Sequence, residues 1–230
     1  MQQPRFTGEF FIPGESSQRL EADHFARYHY ASRFVSGKAV LDIACGVGYG
    51  AQLARAAGAK EVVGVDVSEE ALRIARDDYV SDGVTFERGD VTTYGDDDAF
   101  DVVISFETIE HVDDPFAALR NIRRLLRTDG TLFVSSPNRP ITSPKAKDLR
   151  DKPANAFHVH EFTPRELRCA LVESGFAVDK EVFGQRLQPR LPRLASRAWN
   201  KILRPAERAR PTVQLVRRAF TARYFLLVAH

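Results

Sequence analysis

Residues 39–50 read AVLDIACGVGYG, an apolar run followed by a turn that holds three glycines. The run predicts a buried strand, and glycines let the backbone approach a ligand where the next helix begins. Asp66 ends the next apolar run (EVVGV), about 20 residues downstream, where a carboxylate can accept hydrogen bonds from both ribose hydroxyls. Asp90 follows a third run (VTFE) and is placed to reach an adenine amine. Together these residues predict a nucleoside-containing ligand at the carboxyl ends of parallel strands.

Short β-branched runs alternate with segments of helical period along the rest of the chain. This alternation predicts an α/β fold with a seven-stranded, mostly parallel, Rossmann-like sheet that is covered by helices on both faces. We predict strands at residues 39–43, 61–65, 84–87, 101–106, 131–135, 176–183 and 223–229. We predict helices at residues 50–57, 69–79, 115–126 and 164–173, and one or two more within residues 15–35 that pack as a lid.

The composition indicates one folded domain with additions. The chain has 230 residues, of which 43% are hydrophobic and 28% charged, so disordered, fibrous and collagen-like classes are excluded. We predict an N-terminal helical cap over residues 1–36, a ligand-binding core over residues 37–184 and 223–230, and a basic helical insertion over residues 185–222. Two cysteines without C-x-x-C spacing, and no apolar run of spanning length, favour a reducing, cytoplasmic setting.

Positive charge is concentrated near the end of the chain. Residues 186–223 hold eleven Lys and Arg residues and one acid, Glu207, whereas the net charge of the rest is −8. Such a stretch suits an anionic partner, which is a lipid surface, a phosphorylated or nucleotide-linked substrate, or an acidic face of a second subunit in a homo-oligomer. Arg186, Arg190 and Arg193 can pair with a phosphate or carboxylate of a substrate. The alternative is a solvated helix pair.

The glycine turn differs from a dinucleotide-binding turn. It lacks the third glycine at its usual spacing, and Asp42 precedes the glycines, where it would repel a pyrophosphate. An acid at this place suits a cationic ligand. S-adenosylmethionine (SAM) carries both an ammonium and a sulfonium group.

Residues 39–138 resemble the class I SAM-dependent methyltransferases of the methyltransferase type 11-like group. The motifs that carry the resemblance are VLDIACGVGYG, VVGVDVSEEALRIA, FERGDV, FDVVISFETIEHVDD and LRNIRRLLRTDGTLFVSSPN. The resemblance implies SAM as the cofactor, and Arg27 and Tyr28 resemble part of the helix that closes over it. The cofactor-binding residues implied elsewhere are Asp42, Ala44, Gly46 and Gly48 on the methionyl side, Asp66 and Val67 at the ribose, Asp90 and Val91 at the adenine, and Phe106 at the end of the fourth strand.

The cluster Glu107, Glu110 and His111 follows the fourth strand. If it forms a helical turn, its two carboxylates and imidazole share one face, which suits Mg²⁺ or Mn²⁺. The cluster resembles metal-dependent small-RNA terminal 2′-O-methyltransferases and ubiquinone-pathway O-methyltransferases, in which E-x-x-E-H and a later histidine bind a divalent ion. That resemblance implies His158 as the later ligand, although the residues alone leave His160 open. The alternatives are a metal-free base supplied by His111, His158 or His160, and a purely structural cluster.

The acceptor is predicted from motifs that are spread along the chain. RYHYAS, FETIEHV, SSPNR, the N-x-F-H-x-x-E-F-T segment and FGQ resemble bacterial methyltransferases of polysaccharide and glycolipid assembly, which implies a sugar hydroxyl in a saccharide or oligosaccharide acceptor. Residues 137–156 and 185–222 are expected to build the acceptor pocket. A phenol, a quinone precursor or an amino sugar is the alternative acceptor. Nucleic acid is disfavoured, since no separate binding module is present. An alternative of another class is a non-catalytic assembly partner.

Overall fold

The structure, a computed structural model, describes residues 11–15, 17–185, 188–189, 220–221 and 223–230. Its main feature is a seven-stranded sheet with the strand order β3-β2-β1-β4-β5-β9-β6, in which only β9 runs antiparallel to its neighbours. The predicted fold class is therefore confirmed. The strands are β1 Ala39–Ile43, β2 Glu61–Asp66, β3 Val84–Arg88, β4 Phe100–Phe106, β5 Leu126–Pro137, β6 Val178–Gln185, β7 Gln188–Pro189, β8 Phe220–Thr221 and β9 Tyr224–Ala229.

The helices begin at the capping residues that the sequence offers. Asp114 accepts a hydrogen bond from the Ala117 amide at 2.8 Å, and Thr163 forms a capping box with Glu166. A proline follows each of these two caps, at the first helical position, where its missing N–H costs nothing. The helices are α1 Gln18–Ala31, α2 Tyr49–Ala56, α3 Glu69–Asp78, α4 Pro115–Leu125, α5 Arg139–Thr142 and α6 Pro164–Glu173, with 3₁₀ turns at Ser32–Phe34 and Ile109–His111.

The core lies in two layers, one on each face of the sheet. One layer joins α1, α2 and α3 to the sheet through residues such as Val40, Leu72 and Phe133. The other joins α4 and α6 to it through residues such as Leu41, Leu119 and Leu167. Because Val40 and Leu41 are adjacent in β1, the alternation of side chains along the strand supplies both layers. Because helices cover both faces of the sheet, β1 is apolar at nearly every position.

Most of the predicted basic insertion lies outside the described residues, and with it Arg186, Arg190 and Arg193. The structure shows only a two-stranded antiparallel ribbon near its ends, in which Gln188 pairs with Thr221 and Pro189 with Phe220. Among the described residues, no helix has both the length and the apolar character that a membrane span requires.

Candidate active site

A cleft of about 800 Å³ opens at the carboxyl ends of β1, β2 and β4. The sheet reverses its strand order between β1 and β4, and ligands of open α/β sheets bind at such a switch point. Most of the predicted cofactor residues line the cleft: Tyr28, Ala44, Gly46, Asp66, Val67, Asp90, Val91 and Phe106. All four predicted metal ligands, Glu107, Glu110, His111 and His158, line it as well.

Asp66 ties the glycine turn to the start of α3. Its two carboxylate oxygens accept hydrogen bonds from the amides of Gly46 at 2.8 Å and Ser68 at 2.9 Å. Burial raises the pKa of Asp66, and these amides oppose the rise because they stabilise the charged form. A carboxylate fixed in this way faces the cleft in one defined orientation.

Asp90 follows β3, lines the cleft and is exposed. Its Oδ1 accepts hydrogen bonds from the Thr92 hydroxyl at 2.6 Å and the Thr92 amide at 2.8 Å. These two bonds lower the pKa of Asp90, so the group is ionised at neutral pH. An ionised carboxylate can accept a hydrogen bond from an adenine amine, and the assignment of Asp90 to the adenine stays a prediction.

Asp42 lies beneath the glycine turn, outside the lining of the cleft. It is completely buried, and the Tyr28 hydroxyl donates to its two oxygens at 3.0 and 3.3 Å. Burial raises the pKa of Asp42 to about 7, against the lowering effect of Tyr28. Gly48 and Arg27 also do not line the cleft, although the sequence predicts all three as cofactor residues. Asp42, Gly48 and Arg27 thus lie behind the residues that line the cleft.

Gly50 makes room for the ring of Tyr28. A Cβ atom at this position would lie 2.1 Å from Tyr28 Cε1, far inside any normal contact. We expect Gly50→Ala to destabilise the protein by about 2 kcal/mol, as overpacking of a filled core does, and to lower Tm by about 4–8 °C. Thermal unfolding followed by circular dichroism measures this effect. In a Tyr28→Ala background the same substitution should cost almost nothing, and an undiminished cost there would contradict the contact.

Aromatic residues of α1 and the segment before it roof the cleft. The ring of Phe11 stacks on His24, with centroids 4.3 Å apart, and His24 Nδ1 lies 3.0 Å from the Tyr49 hydroxyl. Phe11, His24 and Tyr49 all line the cleft, and none of them is among the residues predicted from the sequence. A signal for His24 was available, since α1 carries three aromatic residues and two histidines between positions 24 and 30. The N-terminal helical cap over residues 1–36 stays a prediction, of which α1 and the described residues before it are a part.

Glu107 is not part of the group formed by the other predicted metal ligands. Its backbone has a φ of 52°, and the 3₁₀ turn begins two residues later, at Ile109. The Ser135 hydroxyl donates to Glu107 Oε1 at 2.7 Å, and the buried guanidinium of Arg27 lies 3.9 Å from the same oxygen. A continuous helical turn over 107–111 is therefore not formed. The left-handed residue at 107 breaks the i, i+3 relation on which the expected convergence depends.

Glu110, His111 and His158 do converge. Each offers one potential ligand atom, and these three atoms lie within 4.8 Å of one another. Burial, and then the charge of Glu107, raises the pKa of Glu110 well above its usual range. Desolvation lowers the pKa of His111, and a positive charge on His158 would lower it further, so the imidazole of His111 is neutral at physiological pH. A neutral imidazole has a lone pair for a metal ion or a proton.

The two segments that carry this cluster are bound to each other through the backbone. The Glu110 carbonyl accepts from the amides of Val159 at 2.8 Å and His160 at 3.1 Å. His111 Nδ1 lies 2.9 Å from the Phe157 carbonyl oxygen. His160 does not line the cleft, and its ring nitrogens lie 3.0 Å from the Leu149 carbonyl oxygen and 3.3 Å from that of Asp113. The structure thus places His158 in the cluster and His160 outside it.

Comparison with known proteins supports the same ligand. A family model described as a methyltransferase domain matches residues 18–181. A probable S-adenosylmethionine-dependent methyltransferase of Mycobacterium tuberculosis (strain H37Rv) is 35% identical over 199 residues, which are 86% of this chain and 70% of that protein. A ubiquinone biosynthesis O-methyltransferase of Haemophilus ducreyi is 36% identical over 113 residues, or 46% of this chain and 48% of that enzyme.

Solved structures support the fold. A putative methyltransferase of Haloferax volcanii, solved in complex with the Trm112 methyltransferase activator, superposes with a TM-score of 0.66 at 22% identity and covers 91% of both chains. A SAM-dependent methyltransferase of Mesorhizobium loti gives a TM-score of 0.60 at 22% identity, over 88% of this chain and 97% of that one. With the family match over residues 18–181 and the 35% identical relative, the methyl donor is SAM, and the chain belongs to the SAM-dependent methyltransferases.

Proposed function

We propose that this methyltransferase transfers the methyl group of SAM to a hydroxyl of a sugar that carries a neighbouring hydroxyl, with the help of Mg²⁺ or Mn²⁺. One observation carries the proposal. Glu110 is 1% exposed, and neither of its carboxylate oxygens has a hydrogen-bond partner within the described part of the chain. Burying a carboxylate in this way is costly unless a cation compensates it.

The donor set fits a divalent ion. Glu110 supplies carboxylate oxygens, and His111 and His158 supply imidazole nitrogens beside it. Glu107 as a further ligand stays a prediction, since the described geometry pairs it with Ser135 and Arg27 instead. When bound, the ion would lower the pKa of an acceptor hydroxyl and orient two adjacent oxygens. The protein's own part is to hold the hydroxyl in line with the sulfonium methyl and to exclude water under the α1 roof.

Two observations support a hydroxyl acceptor and a sugar in particular. The Haemophilus ducreyi relative is named as an O-methyltransferase, which favours oxygen over nitrogen as the site of methylation. The Phe157 side chain lines the cleft next to His111 and is 48% exposed, so it offers an apolar face to the C–H face of a sugar ring. The resemblance of several motifs, among them RYHYAS and FETIEHV, to bacterial methyltransferases of polysaccharide and glycolipid assembly supports the same acceptor.

A second candidate is methylation of a phenol or quinone precursor with a histidine base and no metal. The lowered pKa of His111 favours it, because a neutral imidazole can take the proton of an acidic hydroxyl directly. The ubiquinone-pathway relative also supports this acceptor class. The two candidates differ in their need for the ion.

Calorimetric titration of Mg²⁺ and Mn²⁺ into EDTA-stripped protein saturated with S-adenosylhomocysteine separates the two candidates. We expect saturable binding at one site that weakens at least about 10-fold in Glu110→Gln and in His111→Ala. His160→Ala is the matched control, because this histidine belongs to the same segment but not to the cluster. Equal binding in all four proteins would contradict the site, and no binding would favour the metal-free base.

Turnover tests the acceptor. Labelled SAM with a panel of sugars, catechols and simple phenols should give a methylated sugar whose formation stops on addition of EDTA. A methylated phenol with activity that EDTA does not change would select the second candidate. Binding of SAM without turnover on any member would favour a non-catalytic assembly partner.

A further inference from the structure

The orientation of the Asn155 amide defines one face of His158. Asn155 Oδ1 accepts a hydrogen bond from the Phe157 amide at 3.1 Å, which fixes the oxygen on that side. The amide nitrogen Nδ2 then lies 2.8 Å from His158 Nε2. An amide N–H only donates, so His158 Nε2 must accept and must carry the lone pair.

A buried carboxylate defines the other face of the same ring. Glu161 is 1% exposed, and its Oε1 lies 2.7 Å from His158 Nδ1. Its second oxygen accepts from the Thr142 hydroxyl, and its backbone carbonyl accepts from the Arg139 guanidinium at 2.9 Å. A carboxylate accepts, so Nδ1 must carry the proton. Two independent contacts thus require the same tautomer.

We propose that Glu161 is the positioning residue of this site: it holds His158 in the Nδ1–H tautomer, so that the lone pair is on Nε2, the ring nitrogen that faces Asn155 in the lining of the cleft. The proposal deepens the proposed function and rests on it for the use of that lone pair. Asn155, which lines the cleft and is exposed, occupies the lone pair through a single hydrogen bond of 2.8 Å. A metal ion, or the proton of the acceptor hydroxyl, can replace the Asn155 amide at this lone pair. His158 then gains positive charge, which the carboxylate of Glu161 compensates.

The other two histidines show why this arrangement matters. His111 Nδ1 lies against a neutral carbonyl, that of Phe157, so its ring is oriented but gains no compensating charge. Both ring nitrogens of His160 face backbone carbonyl oxygens, and His160 does not line the cleft, so neither nitrogen is directed to it. Of His111, His158 and His160, His158 is thus the one that the structure shows with a carboxylate behind its ring.

The tautomer can be read directly by long-range ¹H–¹⁵N NMR on protein labelled at histidine nitrogens, without metal or acceptor. We expect His158 to show a protonated Nδ1 and an unprotonated Nε2 in the wild-type protein, and a mixture of tautomers in Glu161→Leu. Glu166→Gln is the matched control, because Glu166 also anchors this segment, through Arg139, but contacts no histidine. It should leave the His158 pattern unchanged.

A second readout follows the function of the lone pair. Glu161→Leu should weaken Mn²⁺ binding about 10- to 100-fold while the affinity for S-adenosylhomocysteine stays within about twofold, as the loss of an outer partner of a ligating histidine does. If this variant does not fold, Glu161→Gln keeps the volume and should retain the tautomer but lose part of the Mn²⁺ affinity.

Failure of this proposal is distinct from failure of the metal-assisted function. A wild-type His158 that is protonated at Nε2 would overturn the role of Glu161, as would a Glu161→Leu protein with unchanged tautomer and Mn²⁺ affinity. A wild-type protein that has the Nδ1–H tautomer but binds no Mn²⁺ would overturn only the metal-assisted function. The same lone pair would then take the proton of the acceptor hydroxyl.

Discussion

Asp66→Ala should bind SAM at least about 100-fold more weakly than the wild-type protein, a loss of about 2.7 kcal/mol. The resemblance to SAM-dependent enzymes assigns the ribose to this residue, and the structure places its carboxylate in the cleft, oriented by the Gly46 and Ser68 amides. Hydrogen bonds from neutral donors to a charged group are worth about 1.5–3 kcal/mol each, so losing those of the ribose accounts for the effect. Calorimetric titration with SAM and S-adenosylhomocysteine measures it.

The matched control for this substitution is Asp77→Ala. Asp77 lies near the end of α3, is exposed and forms an ion pair with Arg73 across one turn of the helix. Its replacement should leave the SAM affinity unchanged. An Asp66→Ala protein that folds and binds SAM as tightly as the control would refute the ribose assignment.

Asp42→Asn should make the SAM-free protein more stable at about pH 8, by on the order of 4 kcal/mol. The pKa of Asp42 is about 7 in the folded protein and 3.8 in a model peptide. Between these values the folded state holds a proton that the unfolded state has released, so the stability of the wild-type protein falls as the pH rises from about 4 to about 7. Above that range the folded protein carries a buried charge, which asparagine removes while keeping an acceptor for the Tyr28 hydroxyl.

Thermal unfolding as a function of pH measures this prediction. We expect the Tm of Asp42→Asn to exceed that of the wild-type protein by about 10 °C at pH 8, and the difference to shrink steadily towards pH 4. Asp101→Asn is a control of opposite sign, because the Ala39 amide and Arg127 outweigh burial and lower the pKa of Asp101. A Tm difference for Asp42→Asn that does not change with pH would contradict the raised pKa.

The sheet could be predicted from the sequence because its strands are short, apolar and separated by capped helices. The predicted helix starts after Ser68, Asp114 and Thr163 coincide with observed side-chain caps. The register, the insertion of β9 between β5 and β6, and the burial of Asp42 depend on contacts between distant segments. Local patterns do not encode such contacts.

The site was predictable in its membership and less so in its geometry. Asp66 and Asp90 lie at the cleft because Asp66 ends a strand and Asp90 follows one, and the sheet sets the direction of both strands. Glu107 differs, since its positive φ turns its side chain toward Arg27. The choice of His158 over His160 required Asn155 and Glu161, whose contacts no spacing rule reports.

The position of β9 also bears on how the protein forms during synthesis. Residues 224–229 leave the ribosome after all the other strands, yet they lie between β5 and β6 and pair with both along their length. Until then the two strands have bare edges, which are open to pairing with another chain. The nascent protein therefore passes through a stage in which β1 to β4 can already be paired while β5 and β6 are open to aggregation. We expect the yield of folded enzyme to depend on how well those edges are protected at this stage.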